Sequence, residues 1–144
     1  MRNLTSKTRV LIAIGVVALL SATTAYAQTY VVRAYIPFQF HAGGKVLPAG
    51  QYQVEVASDL NRIRLGLRDG SASLYLPAHP THRTEATAQP ATLVFHKYGN
   101  HHFLWKVLKP GGLQGYEVPA SKAEREMARA HSASEVASIA VGSK

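Results

Sequence analysis

The chain lacks cysteine altogether, has one tryptophan, and carries eight acidic residues against sixteen lysines and arginines in 144 positions. Without cysteine there is no disulfide, no thiolate ligand and no thiol for lipid attachment, so the fold depends on its core alone. No apolar run approaches the roughly 20 residues that cross a bilayer as a helix, the longest being the eleven from Val10 to Leu20. Signatures of catalysis are missing too: there is no HExxH, no Gly-x-Ser-x-Gly and no Ser-x-x-Lys, and Gly43-Gly44 and Gly111-Gly112 read as turns rather than phosphate loops. Ser58, Ser71 and Ser73 have no such context, and Glu55, Asp59, Asp69, Glu85 and Glu117 are too scattered to nominate a carboxylate pair. A chain of this length excludes multidomain machinery and most cofactor-dependent folds of about 250 residues. The expectation is a protein that is not an enzyme and has no resident cofactor, a transition metal being the alternative.

What is present begins with an export pattern. Met1 to Arg9 holds Arg2, Lys7 and Arg9 with no acid, the apolar run follows, and Ala25-Tyr26-Ala27 supplies a small-x-small cleavage site. Cleavage before Gln28 is expected, with residues 1–27 as signal peptide and a periplasmic or secreted mature chain. Thirteen basic residues then face all eight acids, a net charge of +5. No further segment would hold the mature chain in a membrane.

From Tyr30 to Pro119 apolar residues alternate with polar ones between turn residues, the mark of half-buried strands. Tyr30, Val32, Ala34, Ile36, Phe38 and Phe40 share one side, with Pro37 marking an edge or bulge. Tyr52, Val54 and Val56 alternate with Gln51, Gln53 and Glu55; Ile63, Leu65 and Leu67 alternate with Arg62, Arg64 and Arg68. Asp69-Gly70 and Gly99-Asn100 signal hairpins. The stretch from Pro77 to Pro90 reads as a long surface loop. About seven strands are expected, hence an all-β domain over 28–120, either a small antiparallel β-sandwich or a partly open β-barrel. Over 121–144 the pattern predicts a short C-terminal helix opened by a Ser121/Glu124 capping box, then a frayed tail from Ser132.

Several segments stand in order along the chain: Ile36-Pro37-Phe38-Gln39-Phe40, Gly44-Lys45, Leu47-Pro48-Ala49-Gly50-Gln51-Tyr52, Leu93-Val94-Phe95-His96-Lys97-Tyr98-Gly99, Phe103-Leu104 and Ser121-Lys122-Ala123-Glu124-Arg125-Glu126. Together they resemble an uncharacterised family of small exported bacterial β-proteins across almost the whole mature chain. The chain departs from that pattern at Gln39, where an acid is usual, and at Asn100-His101-His102, where an acidic-basic-aromatic run is usual. The resemblance implies export and a β fold, and no activity, cofactor or catalytic residue.

Three constellations remain. Among seven histidines, His96, His101 and His102 cluster around one hairpin, with His79 and His82 in the preceding loop, and imidazole suits zinc, copper or nickel. Against a site, no acid lies in the hairpin to orient a ring, and His101 and His102 point to opposite faces of a strand. Solvated polar residues beside a turn are the favoured reading. Arg62, Arg64 and Arg68 on one polar face, joined by Arg33 or Lys106, could hold an anionic partner, though a solvated face is again favoured. Tyr30, Phe38, Phe40, Tyr52, Phe95, Phe103 and Trp105 could line a ligand pocket, but core filling is the simpler use. The leading expectation is an exported, non-catalytic binding or structural module of the cell envelope. Its partner would be an envelope protein or an anionic polymer, not nucleic acid. The alternative is a periplasmic metal-binding protein, and a small hydrolase comes third.

Overall fold

The computed structural model describes residues 29–82, 90–111, 114–131 and 134–141. The expected signal peptide therefore lies outside the described residues, as do Arg83 and Glu85. The strands in chain order are β1 (Thr29–Ile36), β2 (Phe40–Ala42), β3 (Lys45–Leu47), β4 (Gly50–Ala57), β5 (Arg62–Leu67) and β6 (Ser73–Pro77), then β7 (His79–His82), β8 (Ala91–Tyr98), β9 (His101–Leu108) and β10 (Gln114–Glu117). Helix α1 (Lys122–Ala130) and strand β11 (Glu135–Val141) follow. One sheet runs β1-β4-β5-β6; the other runs β11-β8-β9-β10-β7, with the β2–β3 ribbon joined to β9. The fold is all-β and sandwich-like, and the described strands form no closed barrel.

The first sheet forms as its pattern dictates. Val32, Ala34 and Ile36 of β1, Tyr52, Val54 and Val56 of β4, and Ile63 and Leu65 of β5 are buried, and the residues between them face outward. Asp69-Gly70 closes the β5–β6 hairpin, with Gly70 at φ 75° and Asp69 Oδ1 accepting from the Ser71 amide at 2.9 Å. At Pro37 the chain leaves the first sheet and enters the second as β2, yet Phe38 and Phe40 keep the inward side of β1. Phe40 meets Tyr52 at 5.3 Å and Phe95 at 5.6 Å, and Phe38 meets Phe95 at 5.3 Å, all edge to face. The sheets are thus joined by interlocking rings at the geometry aromatic quadrupoles prefer.

The second sheet departs from the expected pattern at three places. A register shift between Val94 and Phe95 leaves Trp105 as an extra residue in β9, since Phe95 pairs with Leu104 and Val94 with Lys106. Such a bulge lets Leu104 and Val107 both reach the core. Phe103 and Trp105 are accordingly on the outer side: Phe103 is buried there, apart from the inter-sheet cluster, and Trp105 is half-buried, so these two of the seven large aromatics do not fill the space between the sheets. The surface loop expected after Pro77 contains β7, paired with β10 in register His79↔Glu117 to His82↔Gln114. Its exposed residues show no apolar alternation because it is an edge strand, where Pro80 is also tolerated. Finally, the tail expected to fray contains β11, which pairs with β8 from Glu135↔Lys97 to Val141↔Ala91. Ala137, Ile139 and Val141 lie against the core, but the intervening Ala and Ser residues weaken the alternation that would have marked the strand. Among the described residues the strands number eleven rather than seven.

Candidate functional site

The three histidines nominated as a metal cluster do not converge. His96 faces the outer side of the second sheet, its ring stacked on Trp105 at 4.2 Å. His102 is on the inner side of the same sheet, stacked on Phe38 at 3.9 Å, with Nδ1 buried and no hydrogen-bond partner among the described residues. His101, adjacent in sequence, points the other way, as strand alternation requires. His79 and His82 are exposed on β7. Among the described residues no group of three or more histidine or acidic side chains could hold a metal ion. The three-histidine site is therefore corrected: strand geometry divides it between two faces.

Two pairings replace it, and both were invisible in the hairpin sequence. The carboxylate that orients an imidazole comes from α1: His96 Nδ1 donates to Glu124 Oε1 at 2.7 Å, with Glu124 only 5% exposed. Ser121 caps α1 as expected, its hydroxyl accepting from the Glu124 amide at 3.2 Å. The Glu124 carboxylate, however, bonds to His96 rather than to the Ser121 amide, so only half of the capping box forms. The second pairing is His41 with His101. The two are brought together because β2 runs parallel to β9 with His41 opposite Phe103. His101 Nδ1 lies 3.4 Å from His41 Nε2, and the His41 ring stacks on Phe103 at 4.4 Å. Burial, and then the nearby His101, push the His41 pKa down; burial, then Lys97 and His101, do the same for His102.

The basic face is present and more varied than its arginines suggested. Arg62, Arg64 and Arg33 project from the outer side of the first sheet, and Arg68 extends from the end of β5. Arg64 pairs with Glu55 at 2.9 Å and Arg68 donates to Gln51 Oε1 at 2.8 Å, while the Arg62 guanidinium lies 5.9 Å from the centre of the Tyr75 ring. Lys106 does not join them: it belongs to the second sheet, 3.7 Å from the Trp105 ring centre and 3.5 Å from Glu117. Tyr35 and Tyr75 stand on the arginine face at 61% exposure each, with Val31 at 48%. Sequence reasoning did not single out Tyr75; its place between Leu74 and Leu76, opposite Arg64 in the register, puts it on the polar side. A cleft of about 650 Å³ runs along β1, lined by Arg33, Tyr35, Gln51, Gln53 and Arg68 among others.

No helix among the described residues is long and apolar enough to cross a membrane. Comparison with family models, curated proteins and solved structures finds no match to the chain.

Proposed function

We propose that the protein is an exported, non-catalytic β-module of the cell envelope that holds an acidic polymer on the outer face of its first sheet. The observation that carries this reading is the coincidence, on one open face, of four arginines with two exposed tyrosines. Guanidinium forks match carboxylate and phosphate geometry, and exposed aromatic rings offer flat apolar contact to a polymer's repeating units. Three inter-strand steps make the face about 14 Å wide, and Tyr35 and Tyr75 at opposite corners are about 20 Å apart, a span suited to an extended chain. Residues 1–27 support the setting, because an exported chain meets acidic glycans rather than nucleic acid.

The test uses protein recovered after expression of the full chain with its own leader. Mass spectrometry should show loss of residues 1–27. Calorimetric titration with polygalacturonate should show binding that weakens with salt and falls at least about tenfold in an Arg62→Ala/Tyr75→Ala variant. Retention of the leader would remove the envelope setting. Binding to single-stranded DNA but not to polygalacturonate would overturn the choice of partner.

A further inference from the structure

We infer that His41 Nε2 and His101 Nδ1 together chelate one divalent transition-metal ion, zinc being the ion whose geometry fits. Two nitrogens bound to tetrahedral zinc at about 2.0–2.1 Å are about 3.3–3.4 Å apart, and the pair is separated by 3.4 Å. The same distance is poor for a direct N–H···N hydrogen bond, which favours about 2.7–3.2 Å. The rings are also held in place. His41 is half-buried and lies flat on Phe103 at an interplanar angle of 18°, on a strand whose register with β9 is set at that residue. His101 is exposed beside the Gly99 turn, so an ion can approach from solvent.

The two remaining positions of a tetrahedral ion would be filled by water, leaving an open site. This site is independent of the arginine face, which lies on the other sheet.

The experiment is calorimetric titration of zinc chloride into chelator-treated protein. Expected is one zinc per chain with a dissociation constant of about 0.1 mM or tighter, since two of four ligands supply about half of a structural site's binding free energy. His101→Ala, at an exposed position, should weaken binding at least about tenfold. His41→Phe should do the same while retaining the stack on Phe103. His102→Gln, on the opposite face, should leave binding unchanged. Nitrogen-15 shifts on zinc addition should fall on His41 Nε2 and His101 Nδ1. Absence of saturable binding up to about 1 mM, binding that survives both His101→Ala and His41→Phe, or half an ion per chain would each overturn the chelate.

Discussion

Along β4 of the first sheet the buried residues are every second one, whereas in β8 of the second sheet five consecutive residues, Ala91 to Phe95, are buried. Both strands back onto the same core. The difference lies on their other sides: β4 presents Gln51, Gln53 and Glu55 to water, while the outer side of β8 adjoins Phe103 and receives Glu124 from α1. Val94, Tyr98, Phe103 and Leu108 are buried there yet stand apart from the inter-sheet cluster, forming a second, smaller apolar layer. A sheet covered on one side alternates, and a sheet covered on both sides does not. All described histidines of the strands belong to the second sheet, and the arginine-bearing outer face belongs to the first.

The sharpest break in this contrast is truncation of a ring at the centre of the core. Phe95→Ala should cost about 3–5 kcal/mol in chemical denaturation, whereas Tyr75→Ala on the open face should stay within about 0.5 kcal/mol. A cost above about 1 kcal/mol for Tyr75→Ala would show that the first sheet is covered on both sides as well. Next, Glu124→Ala removes the buried partner of His96 and should cost about 1–3 kcal/mol, more than Glu124→Gln, which can still accept from His96. If the two variants are equally stable, the outer layer of the second sheet does not depend on that hydrogen bond. Ser121→Ala, which removes only the cap, should cost about 1 kcal/mol.

The pH dependence sharpens the contrast further. His41 and His102 have pKa values lowered in the folded state, so the unfolded chain takes up their protons first. Their contribution is fully present above the unfolded value of about 6.5 and is lost as pH falls through the lower folded values. Melting of chelator-treated protein should therefore shift to lower temperature between about pH 7 and pH 5, with a shallower shift in His102→Gln. An unchanged slope in that variant would remove His102 from the account. The smallest effect belongs to the open face: Arg64→Ala should cost about 0.2–1 kcal/mol, because its pairing with Glu55 is solvent-screened, and added salt should reduce even that.

The first sheet was largely legible beforehand. Ile63 and Leu65 went inward, Arg62 and Arg64 outward, and Asp69-Gly70 turned where a two-strand hairpin needs it. The second sheet was legible only in part. The β8–β9 hairpin formed across Gly99-Asn100, but the bulge at Trp105 reverses the parity that alternation assigns beyond it. Strands β7 and β11 carry weak patterns because each is an edge paired on one side only. The candidate site was hardly legible: Glu124 reaches His96 across 28 positions and His41 reaches His101 across 60, and no local window contains both partners.

Local chemistry in the sequence was enough to determine the strand-rich class, the positions of the main turns, the Ser121 cap and the absence of any cross-link. These depend on neighbours within a few residues, where pleat, turn and cap energetics act. Tertiary structure alone decided which face of β9 carries Trp105, which acid meets His96, and which two histidines stand 3.4 Å apart. Those outcomes follow from the stacking of two sheets and the docking of one helix, which place distant side chains together only after the common core has closed.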